Sequence, residues 1–384
     1  MHNVIYLDHN ATTPVDPEVL AEMLPYFTEK FGNAASIDHD YGYEAKQAVD
    51  KAREQIAAII NAQPDEIIFT SGATESDNIA LFGIAEKYAN KGDHIITCVT
   101  EHKAILDSCA RLEKKGKRVT YLPVDQYGRV TPDDVRRAIT PKTILISIMA
   151  ANNEIGTLAP LAEIGAIARE HNVLFHTDAA QAVGHIPIDV QKMKIDALSL
   201  SAHKIYGPKG IGALYRRRSN PRVQLEPVIY GGGHEHGIRS GTLNVPAIVG
   251  FGKAIQITKQ RIKVDSQQFR IWTQRMYERL KLELGSLVEL NGHPTERLPH
   301  NLNVSFANIE SKALIVRLKG IAVSTGSACT TASVEPSHVI SALGFGEGRA
   351  HNAIRVGVGR FNTDDEINIA TGLLIKTVFQ LKGL

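Results

Sequence analysis

The feature that most constrains this chain is a repeated pairing of apolar runs with helical patterns between Glu66 and Arg217. The runs IIFT, HIITCVT, VTYLPV, TILISIMA, VLFHTDA and ALSLSA are each short, and most of them are rich in β-branched residues. Helix-period stretches such as EHKAILDSCARLEKKG lie between them. That rhythm predicts an α/β domain with a mostly parallel sheet. Several runs are apolar almost throughout instead of alternating, as expected of strands covered by helices on both faces. In such sheets ligands sit beyond the carboxyl ends of the strands, so the residues after each run are where chemistry is sought.

Beyond the glycine-rich GGGHEHGIRSG a helical pattern runs from Val245 to Leu284, followed by NLNVSF and AIRVGVGR. The expected division is a large domain over 15–256 and a smaller α+β domain built from 1–14 and 257–384. At 384 residues, 43% hydrophobic, the chain is long enough for both. Lys and Arg number 43 against 41 Asp and Glu, a net charge of +2 without like-charge blocks. Direct nucleic-acid binding and a polybasic membrane patch are therefore not expected. The opening residues carry no signal-peptide or membrane-spanning pattern, which reads as a cytoplasmic protein. Cys98, Cys109 and Cys329 form no CxxC pair, so neither a disulfide framework nor a metal site is expected.

Four strand ends carry the chemistry. ALSLSAHKIYGPKG delivers Ser201, His203 and Lys204 at a strand end. A lysine there suits a Schiff base with an aldehyde cofactor, although lysines more often sit on solvated faces. VLFHTDAAQAVG ends in Asp178 and Gln181, where a carboxylate could hold a proton on a ring nitrogen or simply cap the next helix. FTSGATESDN leads from a strand into a helix N-terminus. It offers amides to a phosphate near Ala73 and Thr74, and capping explains the same residues. HIITCVTEHKAIL places Glu101 and His102 at a further strand end, and His102 could stack on a flat ring or cap a helix.

Through these motifs, and through DHNATTPVDPEV, ANNEIG, GGGHEHGIRSGTLN, STGSACTTASVEPSHV and AIRVGVGR, the chain resembles the fold-type-I pyridoxal-phosphate transferases. Within them it is similar to the cysteine desulfurases of the iron-sulfur assembly and nitrogen-fixation type, in their long-loop group. The resemblance implies a large domain with a seven-stranded sheet, pyridoxal 5'-phosphate as cofactor and L-cysteine as substrate. It implies that Lys204 carries the Schiff base, that Asp178 contacts the ring nitrogen and Gln181 the ring hydroxyl, and that His102 stacks on the ring. Thr74, Ser201 and His203 then bind the phosphate with help from the Ala73 backbone, and Thr242 reaches the cofactor of the neighbouring subunit in a homodimer. Asn153 and Arg355 fall near the substrate, with Arg355 as its carboxylate clamp.

Cys329 is implied to accept sulfur as a persulfide and pass it to an iron-sulfur scaffold or another acceptor protein. Its surroundings, STGSACTTAS, are small residues that read as an exposed loop, whereas Cys98 and Cys109 sit in apolar patterns that suit buried thiols. His9 stands where many relatives have asparagine, and Ala34 where proline is common. An aminotransferase or selenocysteine lyase on the same fold, or a non-catalytic sulfur-delivery adaptor, are the competing readings. A cysteine in a small-residue loop argues against the first pair, and the set Lys204, Asp178 and His102 against the last.

Overall fold

The computed structural model describes residues 4–325 and 336–383. Its strands, in chain order, are β1 (Ile5–Tyr6), β2 (Ile67–Thr70), β3 (His94–Cys98), β4 (Arg118–Leu122), β5 (Thr143–Ser147), β6 (Leu174–Asp178), β7 (Ala197–Ser201), β8 (Gly212–Arg216), β9 (Val288–Leu290), β10 (Asn301–Phe306), β11 (Ile321–Ala322) and β12 (Ala353–Gly357). Strands β2 to β8 form a seven-stranded sheet in the order β2-β8-β7-β6-β5-β3-β4. Only β8 runs against its neighbours β2 and β7. All six apolar runs of the sequence became strands of this sheet, and the seventh is the GALYR segment that follows the Lys204 turn.

The doubly apolar character of the runs has a direct cause in packing. Successive side chains of a strand point to opposite faces. Phe69, Ile96, Ile146, Phe175 and Leu198 face one side, packed with Val49, Ile56, Ile248 and Phe251 from the helices Asp40–Ile59 and Val245–Leu284. Their neighbours Ile68, Ile95, Leu145, Leu174 and Ala197 face the other, packed with Ile79, Ile84, Ile105 and Leu112 from the helices Ala73–Lys87 and Lys103–Lys114. Each of the Leu, Ile, Val and Phe side chains taken fully from water contributes about 1.5–3 kcal/mol.

Strands β9, β10 and β12 form an antiparallel sheet, β12-β10-β9, and β1 pairs parallel with β11. A separate core lies between these strands and two helices, with Leu7, Trp272, Met276, Val304, Phe306, Ile354, Leu374 and Val378 at its centre. The predicted long helix is one continuous element, Val245–Leu284, whose first part packs in the large core and whose last part packs in the small one. It opens on Asn244, whose side chain caps the Ala247 amide, and Pro246 sits in its first turn where its missing N–H is harmless. The C-terminal helix Asp364–Lys382 begins with a capping box between Thr363 and Glu366. Trp272 Nε1 donates to Asp364 Oδ1 at 3.2 Å and ties the two helices together.

In the large sheet β3 lies between β4 and β5, so the chain reverses its direction of travel across the sheet there. A crevice opens beyond the carboxyl ends of strands at such a reversal.

Candidate active site

A cleft of about 590 Å³ lies at this carboxyl edge, within the size range of small-molecule sites. Its lining includes Ala73, Thr74, His102, Asn153, Asp178, Gln181, Ser201, His203, Lys204 and Arg355. Ten of the twelve residues expected from the sequence are thus brought together. Thr242 is exposed on a surface segment and does not line its own chain's cleft. Cys329 lies outside the described residues. A larger open depression of about 920 Å³, walled by Phe82, Arg111 and Tyr230, contains none of the expected groups.

At one end of the cleft β2 passes through Ser71 and Gly72 into the helix Ala73–Lys87. No side chain caps this helix, which leaves its first amides pointing outward. Gly72 has φ of +156° and lies against β8, where a Cβ at Gly212 would come within 2.6 Å of the Gly72 Cα. Only glycine at 212 lets the loop sit so low on the sheet. Glu75 braces the turn from behind, accepting from the Ser71 amide at 2.8 Å and from Arg239 Nε at 2.7 Å. Ser201 ends β7 on the far side of this loop, and His203 follows it with Nδ1 3.1 Å from Thr12 Oγ1. Burial, aided by Lys204 and Lys209, lowers His203 to about 4, so near neutral pH its ring is a hydrogen-bonding group without charge.

Asp178 closes β6 and is 7% exposed, its Oδ1 accepting from the Ala180 amide at 2.9 Å. That bond is the helix-cap-like contact expected of a strand-end aspartate, made while the residue still faces the cleft. Behind it lies a wall of buried ionisable groups. Asp77 is fully buried, with His176 Nε2 3.7 Å from its Oδ1. Burial, with Asp178 and Glu101 adding to it, raises Asp77 well above the usual carboxylate range. Burial lifts Glu101 to about 8 and drops His176 to about 3. Glu101 accepts from the Met149 amide at 2.7 Å and from Cys98 Sγ at 3.3 Å.

Lys204 occupies the short turn after β7. Its amine donates to the carbonyl oxygens of Asn10 at 2.6 Å and Ala11 at 2.7 Å. Gln181 Nε2 donates to the same Asn10 oxygen at 2.8 Å. His102 both lines the cleft and caps the helix Lys103–Lys114, its Nδ1 accepting from the Ala104 amide at 3.2 Å. With Nδ1 so engaged, Nε2 is the ring atom left to exchange a proton.

Arg355 reaches the cleft from β12 of the smaller sheet. It is 2% exposed, donating through Nη1 to the Asn153 carbonyl at 2.9 Å and through Nη2 to Asp8 Oδ1 at 2.8 Å. Its buried Nε has no partner among the described residues, an open donor in a guanidinium already placed on the wall. The backbone of Arg355 also pairs with Ser324, and His338 Nε2 donates to the Glu101 carbonyl at 3.1 Å. Ser337 hydrogen-bonds to the buried Glu154. Ser324 and His338 flank the stretch that contains Cys329, and both attach to the rim of the cleft.

Asp8, Asn10, Glu75, Asp77 and Glu154 were not singled out from the sequence. Asp8 and Asn10 had a signal, a polar DHN cluster straight after a short apolar strand. The burial of Asp77 had none, because TESDN reads as an ordinary solvated first turn. Among the described residues no three His, Cys, Asp or Glu side chains are placed to hold a metal. An amine at a strand end, a shielded carboxylate and an uncapped helix N-terminus fit the aldehyde, the ring nitrogen and the phosphate of pyridoxal phosphate in turn.

The Aminotransferase class-V family matches residues 5–369. The chain is similar to cysteine desulfurase IscS of Anaeromyxobacter dehalogenans, 53% identical over 382 residues that cover 99% of this chain and 94% of the relative. It is 50% identical to cysteine desulfurase IscS of Rickettsia africae over 380 residues, 99% of this chain and 92% of that one. Among solved structures, a NifS-like protein aligns with TM-score 0.91 and 38% identity over 99% of this chain and all of the other. SspA in complex with cysteine aligns at 0.83 and 39% identity, over 94% of this chain and all of the other. With sequence, fold and cleft in agreement, this chain belongs to the class-V aminotransferase family of fold-type-I enzymes.

Proposed function

We propose that this chain is a pyridoxal-phosphate-dependent cysteine desulfurase that converts L-cysteine to L-alanine and takes the sulfur onto Cys329 as a persulfide. The observation that carries the reading is the convergence of Lys204, Asp178 and the open amides at Ala73 and Thr74 in one cleft, with Arg355 on the facing wall. When bound, pyridoxal phosphate supplies an aldehyde for Schiff-base formation and a protonated ring that draws electrons from the substrate α-carbon. Ala73, Thr74, Ser201 and His203 would hold its phosphate, Gln181 would meet the ring hydroxyl, and His102 would lie beside the ring. Asp178 would face the ring nitrogen, where a carboxylate helps to keep that nitrogen protonated. Arg355, with Asn153 beside it, receives the substrate carboxylate. Lys204 Nζ is the base placed to take the substrate α-proton, its amine held by the Asn10 and Ala11 carbonyls.

Cys329 then attacks the substrate sulfur as a thiolate. An S–S bond forms, the carbon–sulfur bond breaks, and the carbon fragment leaves as alanine after gaining protons. Support for Cys329 comes from its flanks: Ser324 is paired with Arg355, and His338 is bonded beside His102. Cys98 and Cys109 are buried free thiols, and burial raises both. They are poor nucleophiles by comparison.

We place the domain division at 256/257, supported by Ile255 packing in the large core and Phe269 in the small one. Thr242 serves a second copy in a homodimer. Its exposure, and the Arg239–Glu75 pair that fixes its segment to the phosphate turn, support this. The sulfur acceptor is an iron-sulfur scaffold or another carrier protein. The unpaired thiols favour the cytoplasm, and no helix among the described residues is long and apolar enough to cross a membrane.

Mass spectrometry after treatment with L-cysteine tests the assignment. The wild type should carry added sulfur on Cys329, Cys329→Ser should carry none and release sulfide near background, and Cys98→Ser and Cys109→Ser should retain it. Added sulfur on Cys98 or Cys109 but never on Cys329 would overturn the reading.

A further inference from the structure

Beneath Lys204 lies a group of buried imidazoles that the proposed chemistry does not use. His9, His185 and His300 are 5%, 7% and 1% exposed, and the rings of His185 and His300 stack with centroids 3.9 Å apart. His185 Nε2 donates to the Lys204 backbone carbonyl at 3.1 Å. His300 Nε2 lies 3.0 Å from Asn10 Nδ2, and Asn10 supplies the carbonyl on which the Lys204 amine rests.

The direction of each bond in this chain is forced by the one before it. Gln181 Nε2 donates to the Asn10 backbone oxygen, which turns Gln181 Oε1 toward the Asn10 side chain, 3.3 Å from Nδ2. An amide oxygen only accepts, so Asn10 presents its NH₂ group. One hydrogen of that group goes to Gln181, and the other meets His300 Nε2, which has to accept it. The ring proton of His300 is thereby assigned to Nδ1, and a doubly protonated ring could not make the bond.

We propose that His300 is a positioning residue for Lys204: its neutral ring fixes the Asn10 side chain, and through it the Gln181 amide and the carbonyl that receives the lysine amine. Burial holds His300 well below the ordinary histidine range. The titratable groups that face it, His185, His9, Arg355 and Lys204, each oppose a second proton on it. Phe269 closes another side, edge-on to the His300 ring with centroids 6.4 Å apart. The imidazole is therefore kept in the one state that can accept. This inference rests on the assignment of Lys204 as the Schiff-base lysine.

The test compares His300→Leu, which deletes the acceptor, with His300→Gln, which offers an amide oxygen in its place. Asn10→Ala cuts the same link from the other side and keeps the backbone carbonyl. Each full-length protein is loaded with pyridoxal phosphate, its Schiff-base absorbance is titrated against pH, and kcat and KM for L-cysteine are measured. His300→Leu and Asn10→Ala should move the titration midpoint by about one pH unit and lower kcat about tenfold, the scale of one buried hydrogen-bond partner lost. KM should change less, and His300→Gln should return toward the wild type in both readings. A His300→Leu or Asn10→Ala protein that titrates and turns over like the wild type would overturn the proposal, as would a His300→Gln protein as impaired as His300→Leu. Wild-type protein that gains no Schiff-base absorbance would instead overturn the assignment of Lys204 itself.

Discussion

On one wall of the cleft, Asp178 stands before Asp77, Glu101 and His176, all carried by one sheet and the helices and turns at its carboxyl edge. On the opposite wall, Arg355 arrives from the smaller sheet, held by Asp8 of the N-terminal segment and by the Asn153 carbonyl that follows β5. The first wall gets its properties from burial, because removing carboxylates from water raises the energy of their charged forms. The second gets its properties from placement, because its guanidinium is useful only while three distant segments of the chain stay in register. The proposed chemistry, which draws electrons toward one side of a small molecule and grips its carboxylate on the other, uses both kinds of wall. Lys204 sits between them.

The hardest blow to this arrangement is Lys204→Ala. Turnover of L-cysteine should fall by about 10²- to 10⁴-fold or more, and the Schiff-base absorbance should vanish. The cofactor should still bind through Thr74, Ser201 and His203, as equilibrium dialysis can measure. An alanine variant that keeps its absorbance and activity would remove the centre from the comparison.

Arg355→Ala probes the wall that depends on placement. Loss of a charge-assisted contact should lower kcat/KM for L-cysteine about ten- to a hundredfold, chiefly through KM, with cofactor affinity spared. Steady-state kinetics with unchanged saturation would make Arg355 a strut between the sheets and move the carboxylate grip elsewhere.

The smallest effect belongs to the wall that depends on burial. Glu101 is raised from about 4.5 to about 8, so its protonated form favours the folded state fully below pH 4.5, and that contribution drains away as pH climbs through 8. Glu101→Gln keeps an oxygen for the Met149 amide but cannot ionise. Its melting temperature relative to wild type should therefore rise across this window, on the order of a few degrees. A difference that stays flat with pH would show that the wall holds its charge elsewhere.

Much of this was legible in the residues because strand ends announce themselves. A short apolar run that closes on polar residues marks its own carboxyl end, so Asp178, Ser201 and Lys204 could be placed at one edge before any fold was known. The helix Val245–Leu284 was equally plain from its period. What could not be read was contact between segments far apart in the chain. Asp8 and Arg355 meet across 347 positions, and Asn10 and His300 across 290. Asp77 and Glu154 look like surface acids in their own neighbourhoods, and only the layers stacked over them make them buried. His102 was left between ring stacking and helix capping, and its cap is made by the same residue that lines the cleft.

The 40-residue helix shared by the two cores has a consequence for how such a gene can change. Each residue of an α-helix advances the chain by 1.5 Å and turns it by about 100°. One codon gained or lost between Ile257 and Phe269 would leave the first core intact while rotating Phe269, Trp272, Met276 and Leu280 away from their partners. A surface loop absorbs such an event, but this stretch cannot. Its length should therefore be among the most frozen features of the lineage, preserved even where its exposed residues drift freely.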